Sequence, residues 1–153
     1  MSKLSQGYIR RKGRTDGATI GAGLVGELLS SVVASASAVT LTNGIWTPIS
    51  TILLSAGVWD IQVSGILRPD ATTTFTALGA NSSPVSGGNS LIQGGLIRGA
   101  AHTPGNVKDV VVVGRRFVTV TSETTYYFNM LCDFSVGTAK GYGAIYAARR
   151  ATA

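Results

Sequence analysis

Val58-Trp59-Asp60-Ile61-Gln62-Val63-Ser64-Gly65-Ile66-Leu67-Arg68 is the stretch whose reading decides the fold. Trp59, Ile61, Val63 and, past Gly65, Leu67 fall at every second position, and Asp60, Gln62 and Ser64 fill the places between them. Successive side chains of an extended chain point to opposite faces. A period of two therefore describes a strand with one apolar face toward a core and one polar face toward water.

Working outward, Ala38-Val39-Thr40-Leu41-Thr42 alternates in the same way. Asn43-Gly44 after it predicts a tight hairpin turn, because both residues tolerate the positive φ of a type I′ turn. Residues 45–54 read as the next strand. Pro48 within it marks an edge position or a bulge, since proline has no N–H for a ladder. Ala56-Gly57 supplies the turn into Val58. Downstream, strands are predicted over 72–80, 90–100, 109–121, 124–136 and 142–150. Between them lie two polar, turn-prone stretches, 81–89 and 102–106, of the kind that sits on a surface and carries binding variation.

Turn signals recur at roughly ten-residue intervals, which favours an antiparallel sandwich or barrel over a parallel α/β arrangement. The expected fold is all-β: an antiparallel β-sandwich of jelly-roll topology over residues 24–153, preceded by an extended basic arm over 1–23. One stretch stays open. Leu24, Val25, Leu28, Leu29, Val32 and Val33 are spaced as on a helical face, while the β-branched and Ser content of the same residues suits a strand.

Charge is scarce and uneven. Only 13% of the 153 residues are charged against 44% hydrophobic, low for a chain that stays soluble alone, so part of the surface is expected to be hidden in an assembly. Lys3, Arg10, Arg11, Lys12 and Arg14 place five cations and no acid in the first fourteen residues. Five of the six net positive charges therefore sit in residues 1–14, within the arm. Such an arm can neutralise phosphates, with Tyr8 as a stacking ring, or dock on an acidic protein surface; the charge pattern on an arm fused to a β-domain favours protein over nucleic acid. Membrane attachment would need an amphipathic apolar face that the arm lacks, and the apolar runs fall short of the roughly 18 residues of a membrane helix. The N-terminus also lacks a signal-peptide pattern.

Catalysis finds little to work with. General acid and base chemistry requires titratable groups within reach of one another, and His102 is the single histidine, in a Pro/Gly-rich stretch. One His and one Cys cannot supply a zinc site, and no stretch has the dense acidic spacing of a calcium loop. Gly17, Gly21, Gly23 and Gly26 lack the preceding strand and following Gly-Lys-Ser/Thr of a phosphate-cradling loop, and read as a hinge. Cys132 sits on the alternating apolar face of Tyr126, Phe128, Met130 and Phe134 and is expected to be buried. Trp46 and Trp59 are expected in the core. Tyr142 and Tyr146 share a strand face that Arg149-Arg150 closes, a solvated terminal strand or an intersubunit ladder. No enzyme, cofactor or metal is expected.

Four segments carry a resemblance: Val25-Gly26-Glu27-Leu28-Leu29-Ser30-Ser31, Ser37-Ala38-Val39-Thr40-Leu41-Thr42-Asn43-Gly44, Leu54-Ser55-Ala56-Gly57-Val58-Trp59-Asp60-Ile61 and Ile145-Tyr146-Ala147-Ala148-Arg149-Arg150. In order and spacing they resemble a β-domain of tailed-bacteriophage virion proteins, found in tail and head fibres and in small capsid-bound proteins. The resemblance implies a non-enzymatic, homotrimeric structural module of the virion with strands packed about a threefold axis. No coiled-coil or repeat shaft precedes the domain, unlike a long fibre. A capsid decoration or cement protein is the expected role, bound to the phage major capsid protein or another virion protein through Ile9, Arg10, Arg11, Lys12 and Arg14. The alternative is a short tail-fibre or head-fibre module that meets a host surface through Asn81, Ser82, Ser83, Asn89, His102 and Asn106.

Overall fold

The computed structural model describes residues 20–70, 72–88, 95–102 and 109–151. Nine strands occupy them: β1 Leu28–Val33, β2 Val39–Thr40, β3 Thr47–Leu54, β4 Gly57–Pro69, β5 Thr74–Ser83, β6 Gly95–His102, β7 Asp109–Val120, β8 Thr124–Val136 and β9 Ala139–Arg150. Of the stretch left open between helix and strand, Leu28–Val33 is a strand, and Leu24 and Val25 lie in the turn before it. β1 pairs antiparallel with β9, and β2 continues along the same strand after a short 3-10 turn at Ser35–Ser37, so β1 and β2 act as one interrupted edge strand.

Two antiparallel sheets form a sandwich. The first has the order β1-β9-β4-β7, with β2 beside β9, and the second has the order β3-β8-β5-β6. Among the described residues, and apart from β1 and β2, the only consecutive strands in one sheet are β5 and β6; every other connection between the nine strands leads to the opposite sheet. That is the strand order of a jelly roll. It also corrects the expected hairpin at Asn43-Gly44. The turn exists, with Gly44 at φ +70°, but β2 belongs to the first sheet and β3 to the second. Asn43 is instead fastened to β8: its Oδ1 accepts the Phe134 N–H at 2.7 Å, and Gly44 N–H donates to Cys132 O. Pro48 is both on an edge strand and at the β3/β8 register shift between Pro48 and Ser50.

The inner faces meet in one core, whose largest fully buried side chains include Trp59, Phe128, Leu54, Ile61, Leu67 and Met130. Cys132 is fully buried there. Trp46 departs from expectation: it lies just ahead of β3 and is half-buried. At the middle of the first sheet, Gly143 has φ +142°, and a Cβ there would collide with the Ser64 carbonyl oxygen of β4. Only glycine lets β9 and β4 close at that point.

Candidate interaction surface

Antiparallel pairing aligns side chains into rows across the outer face of the first sheet. One row runs Leu28, Ala148, Asp60, Phe117; the next runs Ser30, Tyr146, Gln62; a third runs Val32, Ala144, Ser64. Beyond them Tyr142 pairs with Ile66 and Lys140 with Arg68. On this face Leu28 is 74% exposed, Val32 and Phe117 64% and Tyr146 47%. Tyr142, on the same face, is buried. Arg68 Nη1 donates to Ser35 O at 3.3 Å, holding the 3-10 turn over that end of the sheet.

Two shallow grooves flank Tyr146. One, of about 240 Å³, is lined by Leu28, Ser30, Asp60, Gln62, Arg115 and Tyr146 among others. The second, of about 290 Å³, is lined by Val32, Ser35, Ser64, Ile66 and Tyr142, with Tyr146 again on its wall.

Asp60 is the departure that alternation alone did not signal. Its position in the pattern is a polar, outward one, yet the residue is only 4% exposed. Arg150 Nη2 from β9 and Arg115 Nη2 from the β7 bulge both reach its Oδ2, each at 2.5 Å. The bulge between Ile61/Val63 and their β7 partners re-aims Arg115 toward Asp60. Arg150 also lies 5.7 Å from the Phe117 ring centroid. The other carboxylate oxygen, Oδ1, is buried and has no hydrogen-bond partner among the described residues.

Beside this face sits the segment that leads into β1. Gly26 N–H donates to Arg149 O, Arg149 N–H donates to Glu27 O, and Gly23 N–H donates to Glu27 Oε2 at 2.7 Å. Arg149, expected on a solvated terminal strand, is 8% exposed and points inward. Its Nε donates to Glu27 Oε2 at 2.9 Å, its Nη1 to Ala56 O at 2.7 Å and its Nη2 to Ser55 Oγ, while the guanidinium stacks 4.4 Å from the Trp59 ring centroid. Gly23 and Gly26, at φ +79° and +90°, thus form a pinned turn where the sequence suggested a hinge.

Of the residues expected to face a receptor, Asn81, Ser82, Ser83 and His102 lie among the described residues. Asn81, Ser82 and Ser83 extend β5 and are all buried. Asn129 Nδ2 donates to Asn81 Oδ1 at 3.1 Å, Gly87 N–H donates to Asn129 Oδ1 at 3.0 Å, and Asn81 Nδ2 donates to Gly88 O at 3.0 Å. Their polarity serves to hold residues 84–88 over the second sheet, since buried amides need partners. His102 ends β6, its backbone opposite Phe75, where a loop was expected. Asn89 and Asn106 lie outside the described residues, as do Ile9, Arg10, Arg11, Lys12 and Arg14.

A last polar cluster closes one end of the sandwich. Asp70 Oδ1 accepts from Thr72 N–H, Thr72 Oγ1 and Thr73 Oγ1, and its Oδ2 accepts from Thr138 N–H and Oγ1. Hydrogen bonds from the Thr73 and Thr138 hydroxyls, then from Thr72, hold its carboxyl well below the usual carboxylate range. The carboxylate ties the β4/β5 connection to the β8/β9 connection. Among the described residues no group of three or more His, Cys, Asp or Glu is placed to hold a metal.

No protein-family model matches the chain, and no curated protein sequence matches it. Its fold is similar to that of a chain in the structure of infectious bursal disease virus, Gx strain, at a TM-score of 0.51 and 6% identity over 81% of this chain. A chain of the crystal structure of the T13 particle of the same virus matches at a TM-score of 0.42 and 9% identity over 80%. This chain spans about a third of the length of each of those chains, 32% and 31%.

Proposed function

We propose that the chain is a non-enzymatic structural protein of a virion, a homotrimeric decoration or cement protein of a tailed bacteriophage held to the capsid by its basic arm. The observation that carries the reading is the jelly-roll strand order, shared in fold with a chain of a virus structure at a TM-score of 0.51. The apolar face with its arginine rim supports a protein that works in an assembly, because monomers rarely expose large contiguous apolar patches. The arm's charge supports the attachment role. Arg10, Arg11, Lys12 and Arg14 would meet acidic groups of the capsid, with Ile9 adding an apolar contact. A trimer presents three arms, and linked attachments gain affinity through effective concentration even when each is weak.

The receptor-binding alternative loses three of its six residues to the buried end of β5. Co-sedimentation with purified capsids of the phage that carries the protein tests the favoured reading. The full chain is expected to sediment with them, and a chain with Arg10→Ser, Arg11→Ser, Lys12→Ser and Arg14→Ser is expected to stay in the supernatant. Equal binding by both chains would refute attachment through the arm.

A further inference from the structure

We propose that the outer face of the β1-β9-β4-β7 sheet is the contact face for a second copy of this chain, and that copies pack head to tail in a closed ring, not face to face about a twofold axis. This deepens the homotrimer reading above and rests on it.

Three observations select the face. Its exposed side chains, Leu28, Val32, Phe117 and Tyr146, occupy neighbouring rows of one sheet, with Arg115 and Arg150 beside them. Tyr, Phe and Arg around a partly desolvated groove are the composition of interface hot spots. The Asp60 cluster at one end of it presents Arg115 and Arg150, whose side chains are 61% and 44% exposed, to a neighbour. The whole chain is poor in charge, at 13%, and burying this face would cover four of its exposed large apolar side chains.

Charge decides how the copies meet. One end of the face carries Arg115 and Arg150 about Asp60, and the other carries Arg68 and Lys140 side by side. Both ends are therefore cationic. A twofold contact would lay the face on itself, setting cation over cation whichever way the strands ran. Exposed Glu123, between β7 and β8, and half-buried Asp133, on β8, lie off this face. A head-to-tail contact can bring such a different surface of the neighbour onto the arginines. Repeated with closure, it generates a ring of three or more copies.

The mass of the purified full chain in solution, by light scattering after size exclusion, tests both parts. The expected result is a trimer for the natural chain and a monomer for Leu28→Asp and for Tyr146→Asp, each with the natural circular dichroism spectrum. Both side chains are exposed in the single copy, so the substitutions leave its fold alone. A natural chain that runs as a monomer or a dimer overturns the ring. Folded variants that keep the trimer mass overturn the choice of face while leaving the trimeric reading and the capsid test untouched.

Discussion

Glu27 and Arg149 meet across 122 residues of chain, Arg149 Nε donating to Glu27 Oε2 at 2.9 Å with both side chains about nine-tenths buried. The contact joins the start of β1 to the end of β9, the two strands whose pairing closes one edge of the first sheet. It also determines where the chain preceding β1 leaves the sandwich, next to Leu28 and the proposed contact face.

Breaking that pair leaves a buried guanidinium or carboxylate without its counter-charge. Glu27→Ala is expected to destabilise the domain by about 3–5 kcal/mol, read from urea unfolding midpoints, and Glu27→Leu with Arg149→Met together is expected to recover most of the loss. Additive losses in the double variant would show that the pair is not coupled.

Asp70 gives stability a definite pH dependence. Its folded-state carboxyl titrates below the unfolded value, so its contribution is present above about pH 4 and disappears as the pH falls through the folded-state range. Asp70→Asn is expected to melt at a lower temperature than the natural chain at pH 7, with the gap narrowing below about pH 4. A gap independent of pH would contradict the Thr72, Thr73 and Thr138 hydrogen bonds as its cause.

Asn129→Ala removes the acceptor of Gly87 N–H and the donor to Asn81 in one step. A loss of about 1–3 kcal/mol is expected, with faster proteolytic cleavage within residues 84–88 in native conditions. Unchanged cleavage would mean that the amide pair does not hold this segment down.

Gly143→Ala combines a disfavoured φ with a clash against the Ser64 carbonyl. The expected cost is roughly 2–6 kcal/mol, visible as a lowered melting temperature. Gly114→Ala, where a Cβ meets open space, is expected to change the melting temperature little.

Much of this was legible along the chain. Trp59, Ile61, Val63 and Leu67 announced the inward face of β4, and the residues from Tyr126 to Cys132 that of β8, because a period of two is a local property of extended backbone. Pro48 announced its edge and bulge for an equally local reason. Asp60, Asn81 and Arg149 were misplaced by the same logic. Each is polar by type and buried by partners that arrive from distant segments: Arg115 and Arg150, Asn129, and Glu27.

By itself, then, the order of residues determined that the chain is a succession of short strands with one greasy side each, since side-chain alternation and turn chemistry act over a few neighbours. Which strands lie together was decided only in three dimensions. Asn43-Gly44 turns the chain as its residues demand, yet delivers β3 to the opposite sheet, because the apolar faces of both sheets are buried only when successive strands cross between them. The same crossing gathers Leu28, Asp60, Phe117 and Tyr146, scattered over 119 residues from 28 to 146, onto one outer face. No local pattern could have placed them side by side.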